Sequence, residues 1–102
     1  MKVFLQTSHF PQNINKVEVY KRIIKSEWTE RFAQVELRIG NNDESNKGLS
    51  QFSSNTWVGY YGSGNHDPVA TFQFEPRSGR FMTLQILAQN HLEINELFVY
   101  ST

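Results

Sequence analysis

Hydrophobic and polar residues alternate along several stretches of the chain, which predicts half-buried β-strands because successive side chains leave opposite faces of a strand. Val17 and Val19 alternate with Glu18 and Tyr20 in the first long stretch. The same period of two recurs at three further sets of apolar positions: Val35, Leu37 and Ile39; Ala70, Phe72 and Phe74; and Met82, Leu84, Ile86 and Ala88. Because no segment carries a sustained apolar stripe at helical spacing, the pattern predicts an all-β chain.

Six to seven short strands are predicted, separated by polar turns. The strands lie at Val3–Leu5, Ile14–Ile24, Phe32–Ile39, Trp57–Tyr61, Ala70–Glu75 and Met82–Ala88, with a last one holding Ile94, Leu97 and Val99. Pro76–Gly79 is predicted as a turn, and residues 40–55 as a polar connection of about 16 residues. Strands at this spacing predict an antiparallel β-sandwich or barrel.

Composition limits the function as well as the size. The 102 residues are predicted to form a single domain, residues 1–102, and ten basic side chains balance ten acidic ones. A neutral domain has no electrostatic footprint for nucleic acid, so that partner is not expected. Cysteine is absent, which excludes disulfides and thiolate chemistry. The apolar run before Gln6 is too short for a signal peptide.

The segment KRIIKSEWTER, residues 21–31, is the first candidate binding region. It holds Arg22, Trp28 and Arg31 between two predicted strands. Guanidinium groups beside an aromatic ring commonly bind polar ligands. The alternative is a solvated surface loop in which the arginines pair with Glu27 and Glu30. The residues alone leave both interpretations open.

Acid–base chemistry has few candidates in this sequence. His66 and Asp67 lie among turn-forming residues, and His9 and His91 stand apart from them. A catalytic pair needs a nucleophile or a bound water within reach of its base, and no motif supplies one. We therefore predict a turn at His66-Asp67 and do not expect an enzyme.

Three pieces of sequence, taken in order, resemble the fucose-binding F-type lectins (fucolectins). The first piece is Val17–Arg22, and the second is Glu30–Phe32 running into Val35–Asn41. The third is Gly79–Gln85 followed by Leu92–Tyr100. This family belongs to the wider discoidin or coagulation-factor type C group, which is galactose-binding-like. The resemblance implies an antiparallel jellyroll-like β-sandwich whose loops bind a sugar at one end.

The resemblance also implies roles for particular residues in a non-catalytic carbohydrate-binding module. Arg22 and Arg31 match arginines that donate hydrogen bonds to sugar oxygens, and Trp28 would cover the methyl group of fucose. Glu96 matches an acidic residue that helps to hold calcium, together with a main-chain carbonyl at the position of Asn95. The implied partner is a fucose-containing glycan, and the implied metal is calcium.

The sequence departs from the family pattern at several points. Ile24 stands where the family has an aspartate that supports the first arginine, and the segment between Arg22 and Arg31 is two residues longer. The family domain also begins well before the strand matched by Val3, and that leading part holds a sugar-contacting histidine and most of the calcium loop. His9 does not replace this histidine by its spacing. The resemblance therefore describes a sandwich that is incomplete at its N-terminus.

Other expectations follow from this incomplete match. Sugar binding could have been lost, leaving a structural or protein–protein interaction module on the same sandwich. An edge exposed by missing strands would favour a homo-oligomer or a partner chain. Lipid-binding members of the group use apolar loop tips, but Trp57, Tyr60 and Tyr61 fit a strand better than a membrane contact. We expect a soluble protein, cytoplasmic if Met1 is the true start and secreted if the chain is part of a longer lectin.

Overall fold

The computed structural model describes residues 2–21, 32–46, 53–87 and 94–101, which contain seven β-strands. The strands are β1 (Lys2–Gln6), β2 (Gln12–Lys21), β3 (Val35–Gly40), β4 (Thr56–Tyr61), β5 (Val69–Gly79), β6 (Phe81–Ile86) and β7 (Ile94–Ser101). Among these described residues, no helix is long and apolar enough to cross a membrane. The prediction of an all-β chain is confirmed.

The strands form two antiparallel sheets, and the sheets pack as a sandwich. One sheet has the order β1-β6-β3-β4, and the other has the order β5-β2-β7. Among the seven described strands, only β3 and β4 are neighbours both in the chain and in a sheet. The other connections join one sheet to the other, which is how a jellyroll-like sandwich is wound. The predicted architecture is therefore confirmed.

The core is built from the alternating apolar positions of both sheets. Its buried members are Ile14, Val17, Val19, Phe32, Val35, Leu37, Ile39, Ala70, Phe72, Met82, Leu84 and Ile86. Ile94, Leu97 and Val99 of β7 pack against this cluster and are partly buried. Because side chains alternate across each strand, this inward set confirms the core positions that the period of two predicts.

Two predicted strand boundaries were wrong. The predicted turn at Pro76–Gly79 is part of β5, which continues to Gly79. β5 lies at the edge of its sheet, where proline is tolerated because one side of the strand makes no ladder hydrogen bonds. β3 begins at Val35 rather than at Phe32. Gln34 has a φ of 53°, a left-handed conformation that interrupts an extended chain.

The strand registers define two opposite ends of the sandwich. Val35 pairs with Tyr61, and the backbone N–H of Lys21 donates to the Pro68 carbonyl at 2.9 Å. We call this end the loop end, because β2 ends there at Lys21 and residues 62–68 connect β4 to β5 there. Gly40 lies at the other end, which we call the far end, where its carbonyl accepts a hydrogen bond from the Arg80 N–H at 3.0 Å.

Candidate functional site

The three residues predicted to bind sugar lie outside the described residues. Arg22, Trp28 and Arg31 all fall in the range 22–31, so their predicted role stays a prediction. The residues on either side of this range are described: Lys21 ends β2, and Phe32 is a buried core residue. The candidate site can therefore be built from its two flanks.

Both flanks of the candidate segment contact one aromatic ring at the loop end. The Lys21 Nζ lies 4.9 Å from the centroid of the Tyr61 ring and 5.8 Å from that of Phe32. The Phe32 and Tyr61 rings meet edge to face, with centroids 5.4 Å apart and an interplanar angle of 73°. Such contacts of a cation and of a second ring are favourable geometries for an aromatic side chain. The chain therefore leaves β2 and re-enters the core at the same corner.

Hydrogen bonds join this corner to the loop between β4 and β5. The Lys21 Nζ donates to the Asn65 Oδ1 at 3.0 Å and to the Tyr61 hydroxyl at 3.3 Å. The Asn65 Nδ2 donates to the same hydroxyl at 2.7 Å, and the Asp67 N–H donates to the Asn65 Oδ1 at 2.9 Å. Lys21 is only 1% exposed, so its ammonium holds the loop rather than facing solvent. The arrangement gives the candidate segment a rigid base.

Lys21 was not among the residues predicted to form the site, although the alternation of residues along β2 indicates that its side chain faces inward. It continues the series Val17, Val19 with the same period of two, which places it on the inward face. Its charge argued for a surface position, because lysine is rarely buried without partners. Tyr61 and Asn65 supply those partners from two other elements.

Glu96 and Asn95, the predicted calcium ligands, are both exposed on β7 at the loop end. Glu96 pairs with Tyr20, whereas a register shift leaves Asn95 outside the regular pairing. Calcium takes six to eight oxygen ligands. The part of the chain that the structure describes has no group of three or more His, Cys, Asp or Glu side chains that could hold a metal. These two residues do not make a calcium site by themselves, and calcium binding stays a prediction.

Glu44, an acidic residue of the connection between β3 and β4, is buried at the far end. Its carboxylate accepts hydrogen bonds from the Ser53 hydroxyl and from the Ser54 N–H and hydroxyl, the last two at 2.8 and 2.9 Å. The Asn55 Nδ2 donates to it at 3.3 Å. These charge-assisted hydrogen bonds hold the two ends of the polar connection between β3 and β4 together. Because Glu96 lies at the opposite end of the sandwich, Glu44 cannot bind the same calcium ion as Glu96.

Asp43, the other acidic residue of that connection, remains exposed. The Ser45 N–H donates to its Oδ1 at 3.0 Å. Hydrogen bonds from the backbone and then the side chain of Ser45 hold the pKa of Asp43 below its ordinary value. Aspartate side chains commonly accept a hydrogen bond from the backbone N–H two residues later, and this contact forms a local turn.

The described histidines are not brought together. His9 follows β1 at the far end, where its Nδ1 lies 3.5 Å from the Gln6 Nε2, whereas His66 lies in the loop at the opposite end. His91 falls outside the described residues. The Asn65–Asp67 hydrogen bond forms a local turn, as predicted for His66-Asp67.

The aromatic residues of β4 divide between the core and the surface. Tyr61 packs against Phe32 and also against Phe72, at a centroid distance of 6.2 Å. Trp57 and Tyr60 are half exposed. The prediction that these residues are strand core and strand rim is confirmed.

Solved structures share this fold, although their sequences differ widely from this chain. CpGH89CBM32-5 from Clostridium perfringens, in complex with GalNAc-β-1,3-galactose, is 16% identical with a TM-score of 0.73, over 98% of this chain and 65% of its own. The lectin domain of lectinolysin complexed with Lewis B antigen is 14% identical with a TM-score of 0.70, over 99% and 72%. A Streptococcus pneumoniae fucose-binding module is 12% identical with a TM-score of 0.65, over 99% and 70%.

These similarities show the fold, a β-sandwich shared with carbohydrate-binding modules and lectin domains. This chain spans just under two thirds of the Clostridium perfringens structure. No protein-family profile and no curated protein matches the sequence.

Proposed function

We propose that the chain is a non-catalytic carbohydrate-binding module of the fucose-binding, F-type lectin kind, with its site at the loop end. The observation that supports this most directly is the shared corner of Lys21, Phe32 and Tyr61. It fixes both flanks of the segment that holds two arginines and a tryptophan. The fold is one that carbohydrate-binding modules and lectins share, which agrees with the proposal.

The chemistry of the proposed site follows from its residue types. The guanidinium groups of Arg22 and Arg31 donate several hydrogen bonds in a fixed plane, which suits the vicinal oxygens of a sugar ring. The indole of Trp28 offers an apolar face for a methyl group or for ring C–H groups. A rigid base reduces the entropy lost when such a segment binds its ligand, because fewer conformations are given up.

The proposal is tested by screening the purified protein on a glycan array that includes fucosylated glycans. The best hit and free fucose are then titrated by calorimetry, with calcium and with a chelator. Arg31→Ala is expected to weaken binding by about tenfold or more, as for an anchor residue in a binding site. Arg77→Ala, an exposed arginine of β5, is the matched control and should bind as wild type does.

Each outcome of this titration separates the possibilities. Loss of binding in Arg31→Ala alone supports the site at the loop end. Equal loss in both variants points to nonspecific charge, and no binding to any glycan contradicts the proposal. If the chelator weakens binding in wild type but not in Glu96→Gln, calcium acts through Glu96.

A second candidate function is protein association at the edge formed by β1. Leu5 pairs with Met82 and therefore faces the core side of its sheet, yet it is 36% exposed. An edge strand with an exposed apolar side chain favours pairing with another chain. We propose a second copy of this chain as the partner. Sedimentation of wild type and Leu5→Lys tests this, since a wild type that stays monomeric at high concentration contradicts it.

A further inference from the structure

A register shift places two aromatic side chains on the same outer face of the four-stranded sheet. Leu37 pairs with Gly59, but the next residue, Arg38, pairs with Trp57, so Val58 is an extra residue in β4. Tyr60 pairs with Glu36, which lies two residues before Arg38 on the outer face. An uninterrupted strand would send residues three apart to opposite faces. The bulge at Val58 brings Trp57 and Tyr60 to one face, and we call these two residues the aromatic platform.

The aromatic platform is available to a ligand. Trp57 is 50% exposed and Tyr60 is 49% exposed. Within the described ranges, neither side chain makes a hydrogen bond or a ring contact. Two paired strands hold the rings in successive cross-strand rows, roughly 7 Å apart along the strand. Two exposed rings in neighbouring rows can each take one sugar ring.

Two exposed aromatic residues on the opposite outer face are already in contact with other side chains. Phe98 and Tyr100 of β7 are also about two-fifths exposed. The Phe98 ring meets Tyr20 edge to face with centroids 5.4 Å apart, and the Tyr100 hydroxyl donates to Glu18. The Lys16 Nζ lies 5.0 Å from the Tyr100 ring centroid. These rings already have partners in the protein, which the aromatic platform lacks.

Charged groups beside the aromatic platform compensate each other. The Arg38 Nε donates to the Glu36 Oε1 at 2.8 Å, and the Arg38 Nη1 donates to the Asn55 carbonyl at 2.9 Å. The guanidinium is thus held by two contacts within its own sheet, and its charge is paired. A surface without net charge favours a neutral ligand over a nucleic acid or an acidic polymer.

Two polar oxygens on the same face are without partners. Thr83 and Gln85 of β6 are the cross-strand neighbours of Arg38 and Glu36. They are 1% and 3% exposed, and the Thr83 Oγ1 and Gln85 Oε1 have no hydrogen-bond partner among the described residues. Unpaired buried oxygens are uncommon in folded proteins. Their burial also closes both oxygens to a ligand on this face, so the exposed part of the face is the aromatic platform.

We propose that the outer face of the four-stranded sheet is a second carbohydrate-binding surface, which takes a neutral linear oligosaccharide along β4. Its sugar rings stack on Trp57 and Tyr60, beside the paired side chains of Arg38 and Glu36. This surface lies on the side of the sandwich and uses none of the residues of the loop end. It therefore goes beyond the proposed function and does not depend on it.

Tryptophan fluorescence tests the second surface directly, because the chain has two tryptophans. In Trp28→Phe, Trp57 is the only tryptophan and reports on the aromatic platform alone. Cellohexaose, xylohexaose, mannohexaose and chitohexaose are titrated into this variant. At least one is expected to shift or quench the emission of Trp57 in a saturable way. Calorimetry then measures the affinity of Trp57→Ala for that oligosaccharide, which is expected to be at least about tenfold weaker than that of wild type.

Two control variants separate binding at the aromatic platform from binding elsewhere on the protein. Phe98→Ala removes an exposed aromatic side chain from the other sheet and should bind as wild type does. Arg31→Ala should also retain this binding, so the loop end and the aromatic platform can fail independently. Circular dichroism and the melting temperature establish that Trp57→Ala is folded, and Tyr60→Ala provides a second variant if it is not.

Certain results would contradict a carbohydrate-binding surface on β4. If none of the four hexasaccharides changes Trp57 emission, or if Trp57→Ala and Tyr60→Ala bind as wild type does, the proposal is overturned. It is also overturned if the emission shifts with protein concentration alone and sedimentation shows a dimer that Trp57→Ala abolishes. The face would then be an interface between copies of this chain.

Discussion

The Lys21 ammonium donates a hydrogen bond to the Asn65 Oδ1 at 3.0 Å, which connects the end of β2 to the loop between β4 and β5. The lysine is buried, and the same ammonium reaches the Tyr61 hydroxyl at 3.3 Å. One side chain therefore joins both sheets at the loop end. Replacing Lys21 should therefore lower the stability of the fold, whether or not a ligand is bound.

Lys21→Met is expected to lower the free energy of unfolding by about 1–3 kcal/mol. The methionine fills most of the lysine's volume but leaves the Tyr61 hydroxyl and the Asn65 amide oxygen without their shared donor. Lys21→Ala should cost more, about 2–5 kcal/mol, because it also leaves a cavity. Urea unfolding measures both, with Lys16→Met on the outer face as the control. Equal stability of Lys21→Met and wild type would contradict the assigned contacts.

Gly79→Ala is expected to destabilise the protein by about 1–3 kcal/mol through overpacking. A Cβ at this position would lie 2.5 Å from the Ile39 Cγ2 and 2.9 Å from the Gly40 carbonyl oxygen. The carbonyl belongs to the backbone of β3 and cannot turn aside. Gly62→Ala is the matched control, since its nearest neighbour is the ring of the exposed Tyr60 at 3.1 Å. Thermal unfolding should show the larger loss for Gly79→Ala, and the reverse order would contradict this packing.

Glu44→Gln is expected to lower stability by about 1–3 kcal/mol. The new amide replaces one acceptor oxygen by a donor, which then faces the Ser53 hydroxyl, the Ser54 backbone N–H or the Asn55 amide. Asp43→Asn changes the adjacent exposed carboxylate in the same way and should leave stability nearly unchanged. Denaturant unfolding of the two variants compares them. Equal effects would show that burial of Glu44 is not what stabilises this connection.

Tyr100 is expected to ionise at higher pH than an ordinary tyrosine. Its hydroxyl donates to Glu18, and this hydrogen bond, followed by burial, raises the pKa of Tyr100. A raised pKa in the folded state stabilises the protein fully below the unfolded value of about 10, and this stabilisation is lost as pH rises through the folded value. Ultraviolet absorbance of wild type and Tyr100→Phe isolates this titration. In Glu18→Gln the pKa should move back toward its ordinary value, and no movement would contradict the contact.

The strand pattern predicted most of the fold because each core position depends on local alternation. Val17 and Val19 face the core as their period requires, and so does Lys21, although its charge suggested otherwise. The extension of β5 through Pro76 escaped prediction because proline's effect depends on whether its strand lies at an edge. Sequence alone does not contain that sheet order.

Contacts between distant residues account for what the pattern could not predict at the candidate sites. Glu44 is buried by hydroxyl and amide donors from about ten residues further along the chain, which only the folded connection brings together. The outward position of Trp57 depends on the register of β3 against β4, which one inserted residue shifts. Arg22 and Arg31 were selected by their residue types and by the family resemblance, and they stay predictions.

The shared corner of Lys21, Phe32 and Tyr61 has a consequence for how this protein can change over evolutionary time. Because both ends of residues 22–31 are fixed at one point, the entropy of closing the intervening loop grows only slowly with its length. Residues can therefore be inserted or deleted there without moving either sheet. Under the proposed function, the sandwich would exchange one binding segment for another while its core sequence stays the same.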